Sequence, residues 1–208
     1  RGRRRAGLGR GGARSRGSGA HASLESGGLV NEWADRATQR LKLLEGLDPR
    51  HALGITAANE HFTAIMADWM LRNPDFVEST DARLSTLWLW HSAEESEHKS
   101  TAFDLYQALG GNHEWRVTWF RRVTMIFLGD TLRQTVDNLR RDGTLWKWHT
   151  WKSAATTLFG KRGLIRQTWR PWRAYLRQDF HPAQQDSGPS RLWLAEHRDR
   201  YVPVGAAI

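Results

Sequence analysis

The sequence contains no cysteine. Disulfides, thiolate metal sites and cysteine nucleophiles are therefore excluded, and any metal must be held by His, Asp or Glu. No apolar run reaches about 18 residues, so a spanning helix is not expected. The N-terminus has charge but no apolar stretch behind it, so it does not read as a secretory signal. No apolar/polar alternation marks a strand, and no repeat of about 20–50 residues is present. No G-x-S-x-G elbow is present either, so water is the expected attacker in any hydrolytic reading. Acid is missing from one place in particular. Residues 1–17 hold seven arginines and no Asp or Glu. The formal charge is +9, and without those seven it is +2. The basic excess thus sits mainly in one segment, which disfavours nucleic acid as the partner of the folded part. Lack of cysteine fits a cytoplasmic protein.

What is present is enough for one domain: 208 residues, 39% of them apolar, with twelve tryptophans. Trp combines a large apolar body with one N–H donor, so it fills gaps between helices or edges an interface. Residues 1–28 are Arg, Gly, Ala and Ser with little to bury and are expected to be disordered. They suit an Arg/Gly RNA-binding arm, a targeting segment, or a start foreign to the domain. Residues 29–186 read as a helical metal-binding domain, and 187–208 as a C-terminal tail with a short helix near 189–199. Helices are expected over about 31–45, 49–72, 79–109 and 114–141, then in short pieces near 145–158 and 163–178. Pro49 and Asn73-Pro74 bound the second of these, and Gly110-Gly111-Asn112 and Asp142-Gly143 stop the next two. Ser79 or Thr80 can cap the third, with Asp81 in its first turn. The fold class is all-α.

Three carboxylates and two histidines fall within eight residues of the third helix, from His91 to His98. His91, Glu95 and His98 lie at i, i+4 and i+7, one stripe of a helix. Glu95-x-x-His98 is an i, i+3 pair whose side chains can converge on one ion, as in di-metal carboxylate bundles. Leu84, Leu87 and Trp88 continue that stripe, which points it toward a core, where a carboxylate needs a partner. Glu97 and Lys99 read as a solvated face. From spacing alone, a metal pair and a solvated acidic face both stand open for Glu95 and His98. The second helix offers Glu60, between Ala57 and Ala64 on a face of small residues. His61 points about 100° away from it and reads as an interfacial histidine.

Several segments together resemble the bacterial predicted metal-dependent hydrolases. These are Glu60-His61-Phe62-Thr63-Ala64, then Trp88-x-Trp90-His91-x-Ala93-Glu94-Glu95-x-Glu97-His98-Lys99, then Ala102-Phe103-Asp104-x-Tyr106. Phe159-Gly160-x-x-Gly163-Leu164 and Tyr175-Leu176-x-x-x-Phe180-His181-Pro182 fit as well. The resemblance spans about Leu29 to Asp186 and implies a ferritin-like helical bundle with a dimetal site built from two halves. It implies Glu60, Glu95 and His98 as metal ligands, with His91 or Glu94 in a catalytic, supporting or proton-carrying role. It also implies a first half, a Glu and a second Glu-x-x-His, upstream of about Asn31. Residues 1–28 offer only His21 and Glu25 there, without that spacing. The expectation is a truncated member of the family, or one with a replaced N-terminus, in which a homodimer is one way to supply the missing ligands.

Three functions follow as expectations. The first is a hydrolase in which a divalent metal, Fe or Mn ahead of Zn, activates water against a small-molecule substrate. The second is an oxygen-activating di-iron oxidoreductase, which rests on fold-level analogy. The third is a non-catalytic helical module. It would use the mixed Trp and Arg of residues 145–177 at a membrane surface, or the Arg/Gly segment on RNA.

Overall fold

The computed structural model describes residues 36, 39, 40, 42, 45–78 and 81–200. Among the described residues from Pro49 on, eight α-helices follow one another: α1 (Pro49–Arg72), α2 (Asp75–Glu78), α3 (Ala82–His98), α4 (Thr101–Ala108), α5 (His113–Arg141), α6 (Trp148–Phe159), α7 (Leu164–Ala174) and α8 (Gly188–Glu196). Short 3₁₀ turns lie at Pro182–Gln184 and Arg198–Arg200. No strand occurs among the described residues, and the fold is an all-α bundle. The expected 1–28 segment lies outside the described residues. So does most of the helix expected over 31–45, of which Arg36, Gln39, Arg40 and Lys42 are helical.

α1 is the central element. Asp48 caps its start, accepting from the Arg50 N–H at 2.9 Å, and Pro49 fills the first position, where its missing N–H costs nothing. Gly54, Ala57, Ala58, Ala64 and Ala67 are buried along it. These small side chains let α3, α4, α5 and α7 pack directly on α1. At Gly54 a Cβ would meet the Trp119 and Tyr106 rings at 3.2–3.3 Å. The main core gathers Phe62, Phe103, Phe120, Val123, Tyr175 and Phe180 around Ala57, Ala58 and Ala102. A second cluster joins Leu89 and Ala93 of α3 to Trp193 of α8.

α4 ends in Gly110 at φ +73° and α5 in Gly143 at φ +67°. In each case the next residue donates back to the carbonyl five residues earlier: Gly111 to Tyr106 and Thr144 to Leu139, both at 2.9 Å. Both are Schellman stops, which need a left-handed residue that glycine adopts without strain.

The helix expected over 79–109 is two helices. Its cap is Asp81, which accepts from the Arg83 N–H at 2.9 Å, and Ser79 and Thr80 lie outside the described residues. The break falls at Lys99-Ser100, where no Gly or Pro stands. Tertiary bonds accompany it. Lys99 Nζ donates to the Gln185 carbonyl at 2.9 Å and to Ser187 Oγ at 2.7 Å. The freed Ala102 N–H donates to Glu60 Oε2 at 3.1 Å.

Candidate metal centre

Helical geometry and packing decide which side of α3 is free. The buried residues of α3 are Ser85, Leu89, Ser92, Ala93 and Ser96, and the helix packs on α1 and α8. The stripe of Leu84, Leu87 and Trp88 does not face the core as its apolar character suggested. These residues are 51–55% exposed, because the small-residue side of α3 is the one that fits against α1. His91, Glu94, Glu95 and His98 continue the same open stripe at i, i+3, i+4 and i+7.

Along that stripe the donors converge. One ligand atom each from His91, Glu94 and Glu95 lie within 4.8 Å of one another. His91 Nε2 is 3.5 Å from Glu95 Oε1, and its Nδ1 is 3.6 Å from Glu94 Oε2. His98 Nε2 meets Glu94 Oε1 at 3.0 Å. The i, i+4 partner of His98 is therefore Glu94, while Glu95 sits with His91. Glu95 is the least exposed of the four side chains at 28%, and its Oε2 accepts a hydrogen bond from Thr63 Oγ1 of α1 at 3.0 Å.

Glu60, one turn before Thr63 on α1, has a second task. Its Oε2 caps the start of α4 through the Ala102 N–H. Burial pushes its carboxyl above the ordinary carboxylate range, against the opposing pull of the Ala102 N–H and of His98. The negative charge of Glu95 pushes it up further, so Glu60 lies within electrostatic reach of both Glu95 and His98. The chemistry of this donor set fits a divalent cation: carboxylate oxygens and imidazole nitrogens with no thiol, open to water on one side. Two adjacent carboxylates repel each other, and a cation between them relieves that cost.

His61, next to Glu60, belongs to the core instead. It is fully buried, with ring centroids of Tyr175, Phe180 and Phe120 at 4.6, 5.1 and 5.3 Å. Its Nε2 donates to the Pro171 carbonyl at 3.2 Å, one of the last carbonyls of α7. Its Nδ1 has no partner.

Three groups escaped the sequence reading as parts of a site. Thr63 sat within a segment that carried the family resemblance, but nothing in its spacing names Glu95 as its partner. Lys99, expected on a solvated face, is 7% exposed, and desolvation lowers its pKa. It lines a cavity of about 240 Å³ with Asp68, Arg72, Gln185 and Asp186. His181 Nε2 meets Asp104 Oδ1 at 2.7 Å, and its Nδ1 accepts from the Ala183 N–H at 3.1 Å.

The sequence model of the family described as "Predicted metal-dependent hydrolase" matches residues 17–186. The match starts further upstream than the region from Leu29 in which the motifs lie. No curated protein and no solved structure matches the chain.

Proposed function

Because the chain belongs to the predicted metal-dependent hydrolase family, we propose that the open stripe of α3 is its metal centre, with His91, Glu94 and Glu95 as the core donors. Glu60 and His98 flank them as further donors. The observation that carries this reading is the convergence of three donor atoms within 4.8 Å on one helix face. The arrangement is read as ferritin-like because Glu60 of α1 adds a carboxylate to the Glu and His donors of the neighbouring α3.

A bound divalent metal supplies a Lewis acid and lowers the pKa of a coordinated water toward neutrality. The protein's own groups do the rest. Thr63 holds the Glu95 carboxylate in one orientation through its hydroxyl. His98 does the same for Glu94. His91 stands between both carboxylates, so one ring nitrogen can serve the ion while the N–H of the other orients a carboxylate. The substrate is a small molecule with an electrophilic centre open to attack by water.

The test joins binding to turnover. The apo chain is titrated with Mn(II), Fe(II) and Zn(II) by calorimetry and then assayed on a panel of nitrophenyl esters and phosphates. Binding and metal-dependent hydrolysis are expected, and Glu95→Gln should abolish both while leaving the circular-dichroism melt in place. Turnover that requires dioxygen and stops under argon would contradict the hydrolytic reading.

A further inference from the structure

The +2 of residues 18–208 conceals a segregation of charge. Residues 143–178 carry eight Lys and Arg and no Asp or Glu. The rest of 18–208 therefore holds sixteen cations against all twenty-two acids, a net −6. The same 36 residues contain five of the twelve tryptophans.

These residues form α6 and α7. A helix on a globular protein normally turns its apolar stripe inward. α6 does the reverse. Trp148, Trp151, Ala155 and Phe159 recur at i, i+3, i+7 and i+11, one stripe, and all four are exposed. Trp148 is 78% exposed, Phe159 62%, and Trp146, just before the helix, 90%. The partly covered side is that of Thr150, Ala154, Thr157 and Leu158. α6 has no buried residue and packs chiefly on α7. On α7, Ile165 and Trp169 are also about half exposed. Arg166, Arg170 and Arg173 lie exposed on the adjoining side, with the Arg173 guanidinium 6.0 Å from the Trp169 ring centroid. Lys147, Lys152, Lys161, Arg166 and Arg170 have no carboxylate partner among the described residues.

We propose that α6 and α7 form a docking surface for an anionic phospholipid bilayer, with the outward apolar stripe seated in the interface and the cations on the headgroups. Outward Trp and Phe beside unpaired Lys and Arg is the pattern of helices lying in a membrane interface. No helix of the described residues is long and apolar enough to cross a bilayer, so the contact is peripheral. The charge is complementary to acidic lipids and opposes pairing with the same face of a second copy. An aliphatic and aromatic ridge of Ala155, Phe159 and Ile165 gains more from hydrocarbon than from a phosphodiester backbone. This surface is independent of the metal centre on α3.

The full chain is tested by co-sedimentation with vesicles of phosphatidylcholine alone or with phosphatidylserine. Binding is expected only with phosphatidylserine, and each cation neutralised in R166Q/R170Q/R173Q should weaken it about fivefold. The exposed-stripe variant W148S/F159S, at the two most exposed stripe positions, should weaken it at least about tenfold, with an unchanged melting curve. Without any substitution, lipids brominated on the acyl chains should quench the tryptophan fluorescence of the bound protein. Absence of binding at low salt, or of quenching, overturns the proposal. Binding that survives loss of the stripe assigns it to the Arg-rich residues 1–17 and overturns it as well. So does single-stranded RNA binding through the same residues, or self-association lost in the stripe variant, when vesicles are not bound.

Discussion

Acidifying the metal-free chain should destabilise it through one residue, His61. Its imidazole is fully buried among three aromatic rings. Desolvation is the main reason its pKa is pushed down to about 3. The Pro171 carbonyl raises it in part, and the Arg116 and Lys99 cations lower it again. Unfolded, the same ring titrates near 6.5. Between those values the unfolded state binds the extra proton. The stabilisation is therefore complete above about pH 6.5 and falls as pH drops toward 3. One proton gives a slope of about 1.4 kcal/mol per pH unit. From pH 7 to pH 4.5 the loss is about 2–3 kcal/mol, a large part of a domain's typical 5–15 kcal/mol. Urea melts of the wild type and of His61→Leu across that range isolate this contribution, because the variant lacks the group but keeps the other titrations. Wild type should lose about 2–3 kcal/mol more than the variant. Parallel losses, or an NMR titration of the His61 ring near 6.5 in the folded protein, would refute the reasoning.

Two further substitutions probe the scaffold and the site. Arg116 is 3% exposed, faces the Phe103, Tyr175 and Phe180 rings at 5.1–5.8 Å, and donates to the carbonyls of Arg177 and Phe180. Arg116→Met strands those carbonyls and should cost about 2–4 kcal/mol in urea melts at neutral pH; an unchanged midpoint would show the Arg177–Phe180 segment to be held by other contacts. Thr63→Val removes the hydroxyl that holds Glu95 while keeping its shape. It should weaken Mn(II) binding about tenfold by calorimetry and change stability by less than about 1 kcal/mol. An unaltered affinity would detach Thr63 from the centre.

What could be read from the chain divides along physical lines. α1 and α5 have local punctuation: Asp48-Pro49 and Asn73-Pro74 around one, Asn112 and Asp142-Gly143 around the other. Their bounds follow from caps and missing donors, which neighbouring residues decide. The break between α3 and α4 has no such mark. Its bonds reach Gln185, Ser187 and Glu60 in other parts of the chain. The stripe of His91, Glu95 and His98 is a matter of helical period and is legible, whereas its outward direction and the place of Glu94 beside His98 are not. Which acid each histidine meets depends on rotamers, and the bond from Thr63 depends on the register of α1 against α3. The apolar period of α6 is likewise visible in its sequence. Its outward direction is not, because only the packing on α7 decides which side is covered.

The proposed chemistry requires an ion seated on the open face of α3. Crystals of the chain grown with Mn(II) and measured at the manganese absorption edge test this most directly. An anomalous peak within bonding distance of the Glu95 carboxylate and of His91 or Glu94 is the predicted result. A peak elsewhere on the chain, or none at that face in the presence of saturating Mn(II), would contradict it.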